Sequence, residues 1–348
     1  MRIFLSVLAF VLGFPGTPLH ASVERPPQFV AISFDNCGEL DRWRELSAFL
    51  DEAAMRQEQI GFTFFVSGTN FLPDAERRRY RAPGQAPGQS NIGFGGKIEN
   101  VRERLNFLKR LHSQGSEIAS HAVGHFNGRL WSVAEWREEF GSYQQLLTAA
   151  AADAQMELLW RKIAGFRAPY LGRGPALYAA LKTAEFRYDA SGVGHASEWP
   201  QKLDGVWRFH LAQLRIAGSG RPTLSMDYNF LVAQSGPAGN SKLQDIFGEQ
   251  MLRTYLDYFQ KNFAGNRAPL HIGHHFSPMQ GGAYQQALMK FARIVCGLPE
   301  VRCVTYGTLA DFLDATEVET LRAYQRGDFP RDTVPSTDLA LTPLRGAL

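Results

Sequence analysis

Cysteine is scarce, with three in 348 residues. That excludes a disulfide-stapled scaffold, so stability has to come from a hydrophobic core, which a chain of this length can build. Cys296 and Cys303 flank a short loop and can pair locally in an oxidising compartment. A loop so small adds little by closure entropy. Cys37 is left over and reads as a buried, inert thiol. An excess of charge is also lacking: 37 Lys and Arg against 34 Asp and Glu leave +3. This is too little to argue for nucleic acid, although a mildly basic protein tolerates an acidic partner. Beyond the first twenty or so residues no stretch is long and apolar enough to span a bilayer, so no stable membrane insertion is expected. Hydrophobic residues at 45% and charged residues at 20% give an ordinary globular balance.

The N-terminus is the exception. Met1 to Ala21 reads as a secretory signal peptide, with Arg2 as a minimal basic start, the apolar run Ile3 to Phe14, and a small residue at Ala21. It predicts a secreted or periplasmic protein. No cysteine follows the apolar run closely, which argues against a lipid anchor there. The expected organisation is a signal at 1–21, one folded domain over 22–315 and a tail over 316–348.

The domain alternates strands with helices. Phe29 to Phe34 is rich in β-formers and ends in Asp35-Asn36-Cys37-Gly38. A helix pattern follows from Asp41 to about Gln57, then a strand over Phe62 to Val66. Leu72 to Gly96, rich in proline and glycine and carrying Arg77-Arg78-Arg79, reads as a long surface excursion. A helix over 101–112 leads to a strand over Glu117 to Ser120. Ser132-Val133-Ala134-Glu135 is a capping box for a helix to about Ala152. Strands at 163–166 and 186–189 flank a helix opened by Gly174-Pro175. Residues 192–220 look irregular, and 222–230 partly extended. The remainder reads as helix 243–263, strand 270–275, helix 284–295, strand 301–305 and helix 309–313. About seven strand–helix units favour a closed or nearly closed parallel α/β barrel. Chemistry in such barrels sits at the C-terminal strand ends.

Polar residues collect at those ends. His121 and His125, four residues apart, can reach one Zn²⁺-like divalent ion through neutral imidazoles. The Asp35-Asn36 pair supplies an oxygen ligand and a base. Only the aspartate can take a proton, so Asp35 is the expected general base and Asn36 the ligand. The ion would polarise a substrate carbonyl. Arg167, in Arg167-Ala168-Pro169-Tyr170, can hold Asp35 ionised. The Tyr170 backbone N–H, following a proline turn, can bind an oxyanion. A histidine of the late strand, His271, His274 or His275, would protonate the leaving amine.

Ser33-Phe34-Asp35-Asn36, Ser120-His121…His125, Arg167-Ala168-Pro169-Tyr170 and a late strand ending in histidine together resemble the polysaccharide deacetylase family. This is the NodB homology domain, or carbohydrate esterase family 4. The resemblance runs from about Phe29 to Leu313. It implies a distorted (β/α)7 barrel, a divalent metal that is usually zinc, and hydrolysis of acetamides or acetyl esters on a glycan polymer. Most members carry a second aspartate where this chain has Asn36, and a neutral amide should lower metal affinity. Some members that act on N-acetylmuramic acid also carry Asp-Asn, which turns the substrate expectation toward peptidoglycan. Counting strand residues from Pro269 as the family does favours His274 as the acid, with Asp227 ahead of Asp189 as its partner. Chitin-like or xylan-like glycans, and a non-catalytic sugar-binding barrel, are the alternative readings.

Overall fold

In a computed structural model, residues 23–152 and 163–330 are described; the proposed signal peptide lies outside them. Nine residues of strand β1 (Gln28–Asn36) are buried almost without a break. Burial on both faces, with apolar residues over 29–32 and at 34, is what a parallel strand covered on both sides requires. Around it run β2 (Phe62–Val66), β3 (Glu117–Ser120), β4 (Gly165–Phe166), β5 (Tyr188–His195), β7 (Val206–Arg215) and β9 (Leu270–His275). The sheet order is β10-β1-β2-β3-β4-β5-β7-β6, where β6 is Gln201–Leu203 and β10 is Val301–Cys303; β9 pairs with β1, and β8 (Pro222–Leu224) with β7. All these pairings are parallel except those of β6 and β8 with β7.

The strand ladders do not close into a ring. Between β7 and β9 the gap is crossed by Ser225. Its N–H donates to the Ala212 carbonyl at 2.8 Å, and its carbonyl accepts from the Gly273 N–H at 2.9 Å. Met226 bridges to Gly273. Seven parallel staves with one short irregular link make the distorted α/β barrel that the alternating pattern predicts.

Helices cover the outside: α1 (Leu40–Met55), α2 (Ile98–Ser113), α3 (Val133–Ala152), α4 (Pro175–Thr183), α5 (Asp227–Ser235), α6 (Gln244–Ala264), α7 (Ala283–Val295) and α8 (Tyr306–Ala315). Each turns an apolar stripe to the sheet, as Trp43, Leu46, Leu50 and Ala53 of α1 do. Tyr306, the first residue of α8, is buried against Phe65, Tyr188, Phe209 and the His271 ring. No helix among the described residues is long and apolar enough to cross a membrane.

Three segments depart from the sequence expectation. The stretch read as irregular contains β7, a ten-residue strand. Its signal is the alternation Trp207-Arg208-Phe209-His210-Leu211, with the three apolar members buried. Of residues 222–230, read as partly extended, 222–224 form β8 and 227–230 begin helix α5. The tail carries helix α9 (Val318–Arg326), whose Tyr324 stacks on Trp199 at 5.4 Å. Cys296 and Cys303 are bonded, and Cys37 is free and buried.

Candidate active site

The site is assembled at the C-terminal ends of the staves, and strand register decides which side chains meet. Ser33 and Asp35 lie two apart on β1 and so share a face. Arg167 follows β4, its N–H fixed by the Ser120 carbonyl at 2.9 Å. Its guanidinium is fully buried. It donates to Asp35 Oδ1 at 2.7 Å, Ser33 Oγ at 2.9 Å, the Ala190 carbonyl at 3.0 Å and the Tyr306 hydroxyl at 3.3 Å, and it lies 4.2 Å from the Phe65 ring centroid. Burial alone would raise the Asp35 pKa. The positive charge of Arg167, with His121 and His275 behind it, holds the carboxyl below the ordinary value.

His121 and His125 leave β3 on a tight loop, their ring centroids 5.0 Å apart. The Nδ1 of His121 lies 2.8 Å from the Arg167 carbonyl, so it carries the proton and Nε2 keeps its lone pair. That Nε2 and the Nδ1 of His125 are buried without a partner. Burial, then mutual repulsion, pushes His125 down to about 3, and burial lowers His121. Two neutral, buried, unpartnered imidazole nitrogens fit a divalent metal ion. Asn36, the last residue of β1, has its Oδ1 accepting from Ser67 Oγ at 3.1 Å. Among the described residues no group of three or more His, Cys, Asp or Glu could hold a metal. With Asn36 as the third ligand the set would be two nitrogens and one neutral amide oxygen, weaker than a set with a carboxylate.

On the neighbouring strand β9, the parallel ladder sets His275 beside Asp35 and His274 beside Phe34. With a period of two, His275 shares the face of Asp35 while His274 faces away from it. His275 donates its backbone N–H to Asp227 Oδ2 at 2.8 Å, and its Nδ1 sits 2.6 Å from Asp227 Oδ1. Burial would lower its pKa, but Asp227 raises it above the ordinary histidine value and is itself held low. His274 is sealed in the layer behind, its Nε2 3.0 Å from the Tyr255 hydroxyl, and burial takes it down to about 4. The sequence expects His274 with Asp227 as its partner; in the structure it is His275 that bonds Asp227, at 2.6 Å, while His274 Nδ1 stands 3.8 Å from Asp227 Oδ2. Asp189 instead bonds Ser191 and pairs with Arg208.

Tyr170 stands at the rim, 59% exposed, its ring 4.8 Å from that of His125. It belongs to a wider feature. Of the twelve non-glycine residues with positive φ among those described, six lie in the three site loops: Asn36, Cys37, Ala122, His125, Tyr170 and Leu171. Such backbone gathers where a structure fixes functional groups at some cost in strain.

Residues 22–188 match the family model described as polysaccharide deacetylase. A Mycobacterium smegmatis protein assigned to the polysaccharide deacetylases is similar in fold, with TM-score 0.53 and 14% identity over 90% of this chain and 98% of its own. A carbohydrate esterase family 4 domain of a xylanase from the hindgut metagenome of Trinervitermes trinervoides aligns at TM-score 0.46 and 14% identity, over 83% of this chain and 93% of its own. A family 4 pseudoenzyme from Bacillus anthracis aligns at TM-score 0.42 and 12% identity, over 82% of this chain and 66% of its own. No curated protein matches the chain.

Proposed function

We propose that the protein is a metal-dependent deacetylase that removes N-acetyl groups from a glycan, with peptidoglycan the leading substrate, in the periplasm or outside the cell. One observation carries this reading. A carboxylate locked to a buried arginine, two unpartnered imidazoles and a carboxylate-bound histidine converge on one end of the barrel. A divalent ion, usually zinc in this family, held by Asn36, His121 and His125 would polarise the acetyl carbonyl. Asp35, ionised at neutral pH, accepts the proton of the attacking water. The Tyr170 N–H is the donor offered to the developing oxyanion. His275, whose proton Asp227 helps to hold, gives it to the leaving amine nitrogen. The N-terminal pattern supports an exported protein, and Asp35-Asn36 supports a peptidoglycan substrate through the family resemblance.

The second reading is a sugar-binding barrel without turnover, which Asn36 favours because it removes the anionic oxygen donor. Acetate release from purified peptidoglycan, with zinc added and with a chelator, separates the two. Acetate that appears with zinc and is lost with chelator is the expected result. Acetate release from neither peptidoglycan nor chitin- or xylan-type glycans would overturn the enzyme reading.

A further inference from the structure

The loop that carries both histidines rests on a buried polar pair that the chemistry above does not use. Glu139, on α3, is 1% exposed, and Tyr80, in the surface excursion, is also 1% exposed. Both carboxylate oxygens of Glu139 lie 3.0 Å from the Tyr80 hydroxyl, and Oε1 accepts the Val123 N–H at 2.8 Å. The Tyr80 hydroxyl in turn accepts the Gly124 N–H at 3.1 Å. Two of the three backbone donors between His121 and His125 are thus held by one side-chain pair; the third, the Ala122 N–H, donates to Ser120 Oγ at 3.3 Å. A Cβ on Gly124 would stand 2.5 Å from Tyr80 Cε1, so glycine is what allows the ring this close. From the other side, the Asn91 N–H donates to the Gly124 carbonyl at 2.9 Å and Asn91 Nδ2 to the His125 carbonyl at 3.1 Å.

Tyr80 is buried in a neighbourhood of exposed arginines at 77–79 and 81. A large aromatic turned inward at that point makes the excursion a brace rather than a loose flap. Its anchoring continues at Arg104 of α2, which donates to the carbonyls of Gly38, Asn70 and Gly95 and so ties the excursion to the turn after Asn36. Burying a carboxylate costs several kcal/mol unless it is repaid by hydrogen bonds, and here every repayment comes from the excursion or the histidine loop.

We propose that Tyr80 and Glu139 form a positioning clamp that sets the geometry of the His121–His125 pair, and that the 72–96 excursion exists to deliver Tyr80 to it. The proposal rests on the reading of that pair as metal ligands. His125 depends on the clamp most, because its left-handed φ of 57° needs the preceding peptides held in place. Supporting groups around ligating histidines typically change metal affinity by about ten- to a hundredfold when removed.

The test uses the mature protein and two variants, Tyr80→Phe and Glu139→Ala, with the first as the milder change should the second fold poorly. Two quantities are read: the ring ¹⁵N and ¹³C signals of His121 and His125 in metal-free protein, and the affinity for Zn²⁺ by calorimetry. The clamp predicts displaced or broadened His125 ring signals in Tyr80→Phe, and zinc affinity lower by about tenfold. If wild-type protein binds no zinc yet the His125 signals move, the metal reading falls and the clamp stands. If both variants melt earlier but leave the histidine signals unchanged, the pair is ordinary packing and the clamp is overturned, whatever the metal result.

Discussion

Two buried carboxylates hold opposite sides of the site, and their partners differ in kind. Asp35 is paired with Arg167, a cation that does not titrate in proteins. Asp227 is paired with His275, whose charge can change near neutrality. Both carboxyls are held below their ordinary pKa against the cost of burial. Only the second pair has a proton to give. The first arrangement fixes an anion in place at any physiological pH, and the second loads and unloads a proton while its carboxylate stays put. That division of labour, one group to take a proton and another to return one, is what amide hydrolysis needs.

The largest expected effect is on the fixed pair. Asp35→Asn keeps the shape and the hydrogen bond to Arg167 but removes the site that accepts a proton. Turnover should fall by about 10²–10⁴-fold, with zinc stoichiometry unchanged. Retained acetate release would remove Asp35 as the base. Loss of zinc together with activity would make it a ligand instead.

The titrating pair comes next, and adjacent histidines sharpen it. His275→Gln should cost about 10²–10⁴-fold in kcat. His274→Gln should cost less than about tenfold in kcat and lower the melting temperature, since it leaves the buried Tyr255 hydroxyl poorly partnered. The reverse ranking would restore His274 as the acid. Asp227→Asn should also lower the alkaline limb of the pH–rate profile. His275 is raised above 6.5 by Asp227, so its protonated form is present below that limb and lost as pH rises through it. A profile that does not move with the substitution would break the assignment of His275 to that limb.

The contrast between these pairs also explains what the sequence shows. Asp35, Asn36, His121, His125 and Arg167 each follow a buried run and belong to the early motifs, within the stretch matched by the family model. They read from local order alone. The late acid does not, because three histidines crowd residues 271–275 and their facing is set by pairing with a strand some 240 positions earlier. Parity was the usable clue: His271, Gly273 and His275 take one face, and Asp35 requires the odd-numbered partner. The same period of two is present in Trp207 to Leu211, but its Gly-rich surroundings mask the β7 signal. Tyr80 had no local signal at all, since a tyrosine among arginines looks like surface until α3 packs over it.

The smallest expected effect concerns a third buried carboxylate, Glu139, which sharpens the comparison because it has no cation. Its hydrogen bonds come from a hydroxyl and a backbone N–H. Burial therefore wins and pushes it up to about 7 from an ordinary 4.5. The sign follows from linkage. Between pH 4.5 and about 7 the folded chain keeps a proton that the unfolded chain releases, so stability falls as pH rises through that window and levels off above it. Glu139→Gln removes this titration. Denaturant unfolding across the same window should show wild-type stability declining with pH more steeply than that of the variant. Superimposable slopes would mean that Glu139 is already ionised in the fold, and that its hydrogen bonds alone hold its charge as firmly as Arg167 holds that of Asp35.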